Sequence, residues 1–397
     1  MHFALPDPQR EFKRRFDRLC GERIAPRAGE VDRTGVVPKE SWTELAEAGY
    51  LALFHAPQWG GSGVDGVTQG LAMESLARAC ASTFWSVSIS TLLCGKMLSE
   101  LCGLVQHERW LKPIVAGLVT GSFAATEDAA GSDPGSYRTT LFDTKGGLRL
   151  RGEKSRISNA GTADVAVVLA RRGDPSGAAL CYVVVDLSTR GVERRELPKL
   201  GLHGMSWGAL RFDDVEVPPD DVIVDASVEK TLHVVEWGQL LQTWCAIGLA
   251  SAALAACRDH VSSRLAFGRP IAHLELVHSR LADMHVEIEA ARLLALEVSW
   301  IKGEGRVARD LVFMAKIYAT EMAVRVTDLA MRTFGGWGYS RERPIERLHR
   351  DSLANIPAGL PTDRLRELLG CAMVGADPWA YEPFDWLGPA GLRLDGE

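Results

Sequence analysis

Residues 165–186 read VAVVLARRGDPSGAALCYVVVD. Two short runs, Val165–Ala170 and Cys181–Asp186, are rich in β-branched residues and are separated by the Arg172-Gly-Asp-Pro175 cluster. Apolar runs of this length bounded by Gly, Asp and Pro read as strands and turns. Thr144-Lys-Gly-Gly147 supplies another turn, and Arg211–Pro218 alternates apolar and polar residues like a partly exposed strand. A small β-domain over 119–226 is the reading.

Outward from that block the period changes from two to 3.6. Upstream, Pro38-Lys-Glu-Ser-Trp-Thr-Glu-Leu-Ala-Glu-Ala-Gly49 opens with Pro and closes with Gly, as helices do. Trp42, Leu45 and Ala46 share its apolar face, and residues 67–102 resume helical spacing after the Gly60-Gly-Ser-Gly63 loop. Downstream, Leu274, Val277, Leu281, Met284, Ile288, Ala291 and Leu294 step by three or four. The chain is therefore α+β and mostly α: helices over 1–118, the β-domain over 119–226, helices over 227–375, and an irregular tail over 376–397.

Composition narrows the function. The chain has 397 residues with 45 Lys+Arg against 51 Asp+Glu, a net charge of −6, which argues against nucleic acid as a partner. The most apolar stretch, Thr243–Cys257, spans 15 residues, too few for a membrane span. The N-terminus lacks the apolar core of a signal peptide, and none of the eight cysteines forms a C-x-x-C pair. The ten histidines show no H-x-x-x-H spacing. A cytoplasmic protein without metal, disulfide or membrane is expected.

Four segments carry chemistry. Phe123-Ala-Ala-Thr-Glu-Asp-Ala-Ala-Gly-Ser-Asp133 places the Thr126 hydroxyl where it can donate and accept toward a heteroaromatic ring. Its Gly131-Ser132 pair exposes N–H groups suited to phosphate or amide, although a plain polar turn reads the same way. The others are Gly152-Glu-Lys-Ser-Arg-Ile-Ser-Asn-Ala160, Arg264-Leu-Ala-Phe-Gly-Arg-Pro-Ile271 with Leu281–Met284, and Thr333-Phe-Gly-Gly-Trp-Gly-Tyr339 followed by Pro344–Arg347 and Arg350-Asp351. Gly335-Gly336 admits close approach to a flat or anionic ligand.

In this order, with Ala56–Gly61 and Gly201–Met205 to Val217-Pro218, the chain resembles the acyl-CoA dehydrogenase family from about residue 10 to 370. The resemblance implies an N-terminal helical domain, a middle β-barrel-like domain, a C-terminal four-helix bundle, FAD, and a homo-oligomer, dimer or tetramer. By the same resemblance Phe123, Ala125, Thr126 and Ser158 lie beside the flavin, with Gly131 and Ser132 near the pyrophosphate and thioester arm. Arg264, Phe267, Arg332, Gly335 and Gly336 then contact FAD across a subunit interface.

Two departures bear on mechanism. The family's base is a carboxylate that takes the α-proton. Its usual position falls here on Ala358 or Gly359, and an earlier-helix alternative falls on Gly238. Glu236 lies about 200° around the helix from Gly238, and Asp363 is the other nearby carboxylate; each reads more readily as solvated or structural. Arg156 stands where the family often has an aromatic side chain; it would stabilise a reduced flavin, hold a substrate carboxylate, or simply sit exposed on a strand edge. Glu275 and Arg332 replace common glutamines. His203 and most of the 11 tryptophans read as structural, although Trp237 and Trp244 could narrow an acyl pocket.

The first functional expectation is α,β-dehydrogenation of an acyl thioester, on CoA or an acyl carrier protein, in a specialised biosynthetic pathway. Electron-transfer flavoprotein or O₂ would reoxidise the flavin, and Glu236 would supply the base. A second is a decarboxylating oxidase or monooxygenase acting on a β-keto acid, with Arg156 on the carboxylate. A third is an inactive partner subunit.

Overall fold

The computed structural model describes residues 4–133, 136–173, 179–223 and 228–376. Helices α1 (Asp7–Leu19), α2 (Ala28–Thr34), α3 (Lys39–Glu47), α4 (Gly66–Ala79), α5 (Ala81–Ser88) and α6 (Gly95–Leu101) come first. The short turns α7 (Leu104–Gln106) and α8 (Lys112–Val115) follow. The Pro and Gly punctuation of α3 is realised: Pro38 precedes it and Gly49 follows at φ 78°.

The sheet contains β1 (Gly121–Ala124), β2 (Thr140–Thr144), β3 (Gly147–Ser158), β4 (Val165–Arg172), β5 (Ala179–Asp186), β6 (Val192–Glu196), β7 (Trp207–Val217) and β8 (Val222–Ile223). Its order is β6-β7-β3-β2-β4-β5-β8, and β1 lies parallel to β4 with Phe123 opposite Val167. The continuous apolar run of β4 has a direct cause. Ala166, Val168 and Ala170 enter the core inside the sheet domain, while Val165, Val167 and Leu169 enter a second core. Alternate side chains point to opposite faces, so a strand buried on both faces must be apolar throughout. The second core also takes Met97, Leu98, Trp110 and Ile114 from the N-terminal helices and Val234 from the helix that follows the sheet. The turn read at Arg172–Pro175 lies partly outside the described residues, as does the tail from 377.

The C-terminal part comprises α9 (Val228–Ser263), the hairpin β9 (Leu265–Ala266) and β10 (Arg269–Pro270), α10 (Glu275–Gly303), α11 (Arg309–Phe334), α12 (Ile345–Leu353) and α13 (Thr362–Val374). Of the stripe expected on α10, Val277, Met284, Ile288 and Ala291 are core, Leu281 and Leu294 are half-buried against it, and Leu274, just before the helix, is exposed. The 15-residue limit put on the apolar stretch is corrected. Helix α9 is long and apolar enough to cross a membrane by length and composition, but 72% of its most apolar window is buried within the fold. It is a core helix, and small residues let it approach α4. A Cβ at Gly248 would come 2.7 Å from Ala77 Cβ, and one at Gly70 would come 2.6 Å from the Trp244 ring.

Candidate active site

A cavity of about 870 Å³ opens where the sheet meets α9, α11 and the turn after α12. Phe123, Ala125, Thr126, Gly131, Ser132, Arg156 and Ser158 all line it. Gly238, Ala358 and Gly359, the positions where a base was sought, line it too, as does Glu236. Seven of the predicted cofactor residues therefore line one cavity together with the candidate base positions.

Burial fixes the sheet wall. Lys154 is fully buried and its Nζ donates to Glu127 at 2.8 Å and to the Ala125 carbonyl at 2.7 Å. Glu127 also accepts from the Arg138 and Thr139 amides, at 2.7 and 2.9 Å. Burial alone would raise the Glu127 carboxyl, but Lys154 and these N–H groups outweigh it and hold the carboxyl below its ordinary range. Thr126 is thus clamped between two tethered neighbours, and its carbonyl accepts from Ser155 N at 2.9 Å. The Tyr137 hydroxyl donates to the Gly131 carbonyl at 3.0 Å. Among the described residues, the Thr126, Ser132 and Ser158 hydroxyls have no protein partner. Free hydroxyls beside the Phe123 ring and an open glycine loop fit the FAD that the resemblance implies.

Arg156 sits on a β-bulge. The β3–β7 register shifts between Lys154 and Ile157, and Arg156 lies at φ 61°, a left-handed conformation rare for such a residue. The bulge turns it to the cavity, where it pairs with Asp128 at 2.6 Å. Hydrogen bonds from Ser155 and Arg156 hold Asp128 below the usual carboxylate range. Both partners are half-exposed, so the pair adds little stability.

Glu236 departs from its expected placement. The 200° separation from Gly238 does not take it out of the site, because the cavity wraps α9 from Thr231 to Gln242. Glu236 is 2% exposed and one carboxylate oxygen lies 2.5 Å from Lys302 Nζ, itself 2.9 Å from His233 Nδ1. Asp363 is the solvated group, 95% exposed beside Arg366. Trp237 and Trp244 are core, their indole N–H groups donating to His233 and Ser299. His203 pairs with Asp32 at 3.0 Å, a structural contact.

Burial, with Lys302 and Lys96 nearby, pushes the His233 imidazole down to about 4. An unfolded histidine protonates near 6.5, so the unfolded state binds more protons between these values. The contribution of His233 to stability is present above pH 6.5 and is lost as pH falls toward 4. His233→Asn is expected to flatten the acid-side fall of the thermal midpoint; an unchanged slope in melts across this range would contradict it.

Arg264, Phe267, Arg332, Gly335 and Gly336 are not brought to this cavity. All but Phe267 line a separate open groove of about 410 Å³, while Phe267, 92% exposed, tips the β9–β10 hairpin. Arg332 pairs with Asp328 at 2.7 Å. Lys154, Glu127 and Lys302 were missed because their pairings are long-range. Gln239 and Gln242 were missed, although polar residues three apart on an apolar helix are a legible signal. No cluster of His, Cys, Asp or Glu able to hold a metal occurs among the described residues, and all eight cysteines are free thiols.

The comparisons agree with this geometry. Family models described as acyl-CoA dehydrogenase N-terminal, middle and C-terminal domains match residues 6–118, 122–215 and 229–370. Benzylmalonyl-CoA dehydrogenase of Aromatoleum aromaticum is 32% identical, over 92% of this chain and 98% of its own. A short-chain-specific acyl-CoA dehydrogenase of Megasphaera elsdenii is 31% identical, over 89% and 94%. The solved butyryl-CoA dehydrogenase of Megasphaera elsdenii superposes with a TM-score of 0.89 at 30% identity, covering 94% of this chain and all of that one. The chain belongs to the acyl-CoA dehydrogenase family and is an FAD-dependent oxidoreductase.

Proposed function

We propose that this chain oxidises a specialised acyl thioester, on CoA or an acyl carrier protein, to its α,β-unsaturated product. The observation that carries the reading is the shared cavity, which Thr126 and Ser158 line together with Gly238, Ala358, Gly359 and Glu236. FAD, when bound, supplies the hydride acceptor. Thr126 and Ser158 hold the ring edge, and Gly131 and Ser132 supply the loop beside the phosphates and thioester arm. Glu236 is the one carboxylate among the described residues that line the cavity, and its Oε1 has no described partner. In this reading Glu236 takes the α-proton while Lys302 holds its other oxygen. The family's base positions are empty of carboxylate, which supports a specialised substrate over bulk fatty-acid oxidation.

The test is anaerobic mixing of the FAD-loaded chain with saturated acyl thioesters, following the visible absorbance of oxidised flavin. Bleaching is expected, and Glu236→Gln should slow it about 10²–10⁴-fold. Bleaching at an unchanged rate in the variant would remove Glu236 from the role of base.

A second reading has its own observation. Arg156 and Lys199 line the cavity, and the half-exposed Arg156, shared there with Asp128, can turn to an anion in it. A β-keto acid would suit that charge, and its loss of CO₂ generates the enolate without a base, with Arg156 on the departing carboxylate. Bleaching by β-keto acids alone, with CO₂ released, would select this reading.

A homo-oligomer is part of the same proposal. Val286, Leu293 and Trp300 recur every seven residues on α10 and are more than half exposed, an apolar stripe that a second copy would cover. Residues lining the Arg264–Gly336 groove would then complete a neighbour's cofactor site.

A further inference from the structure

We infer that Gln239 and Gln242 form a paired amide clamp for an oxygen substituent on the acyl chain. The substrate class is then an oxo-, hydroxy- or carboxy-acyl thioester and not a plain hydrocarbon one. This rests on the thioester reading above and specifies the part of the cavity that selects the acyl group.

The two side chains lie three apart on α9, so they project from one face. They line the cavity and are only 2% and 4% exposed. Their Nε2 atoms converge on the position a Cβ would take at residue 359, at 2.8 Å for Gln239 and 2.7 Å for Gln242. Residue 359 is a glycine at φ 62°, so no side chain occupies that point. Among the described residues neither Nε2 has a protein acceptor, and both Oε1 atoms are buried without a partner.

Buried amides are ordinarily hydrogen-bonded, because leaving them unpaired forfeits their solvation. Their surroundings here are apolar: Leu241, Phe313, Ala358 and Leu360 line the same region of the cavity. A hydrocarbon chain laid against them would leave both amides unpaired. The two Nε2 atoms lie close together beside Gly359, so one ligand oxygen in the cavity next to that residue would accept from both, which is how a few polar groups set specificity in an apolar pocket. Residue 359 is also one of the positions where the family's base would sit, so the oxygen belongs close to the reacting carbons.

The test is anaerobic calorimetry of the FAD-loaded chain with S-acyl-pantetheines, the portion common to CoA and carrier-protein thioesters. The γ-hydroxybutanoyl ester, which keeps the α- and β-hydrogens the reaction removes, is expected to bind at least about tenfold more tightly than the butanoyl ester, about 1.4 kcal/mol. Gln239→Leu and Gln242→Leu should each narrow that ratio. Gly359→Ala, whose Cβ would press both amides aside, should narrow it without removing either. It also keeps the test decisive if a leucine variant fails to take up FAD. Equal binding of butanoyl and its γ-hydroxy analogue, or an unchanged ratio in every flavin-loaded variant, would overturn the clamp alone. Failure of every ester to bind would overturn the thioester reading, and the clamp with it.

Discussion

Glu127→Ala is expected to strip the protein of flavin and to lower its stability by about 3–5 kcal/mol, the usual cost of orphaning one member of a buried ion pair. Lys154 is fully buried, and removing its carboxylate leaves an ammonium held only by the Ala125 carbonyl and the Tyr137 ring. The Arg138 and Thr139 amides lose their acceptor at the same time. The damage falls on the segment that carries Thr126, so cofactor retention and stability should fail together. Gel filtration of the loaded protein and denaturant melts would read both. A variant that keeps one FAD per chain and melts within about 1 kcal/mol of the parent would show that the pair does not hold the wall. Glu127→Gln should fall between, since its amide oxygen can still accept from one of the two backbone N–H groups.

The second large effect is expected at Lys302→Met. Both Lys302 and Glu236 are out of solvent, at 0% and 3% side-chain exposure. Taking the lysine away leaves a carboxylate in the cavity wall without its cation, again at about 3–5 kcal/mol. A Glu236→Leu, Lys302→Met double variant should recover most of that loss, because replacing both charges removes the desolvation problem. Recovery of stability without recovery of flavin bleaching would separate the structural role of the pair from the catalytic role proposed for Glu236. If Lys302→Met alone proves as stable as the parent, the two groups do not depend on each other for burial.

What could be read from the chain and what could not divide along the range of the interactions. The β4 run and the α10 stripe were legible because a strand or helix imprints its own period on the residues it buries. The Pro38–Gly49 helix was legible because its ends need particular backbone conformations. Thr126, Ser158 and their loop were found through resemblance and were brought together by the sheet. The pairing of Glu127 with Lys154 joins residues 27 apart, and that of Glu236 with Lys302 joins residues 66 apart; no local pattern signals either. The 200° separation of Glu236 from Gly238 does not exclude it from the cavity, because a cavity that wraps a helix admits side chains from more than one of its faces. Arg264, Arg332, Gly335 and Gly336 share a second groove, on a different surface from the Thr126 wall.

Val234, deep in the chain, seals a core otherwise built from residues 94–184, and α9 packs on α4 from the N-terminal third. During synthesis, the apolar side of α4 that packs on α9 cannot be covered until α9 has left the ribosome. The nascent polypeptide must carry that surface uncovered from Ala79 to at least Val228. That interval invites aggregation or chaperone capture, and it makes a transcript truncated before α9 a source of sticky fragments instead of small stable domains.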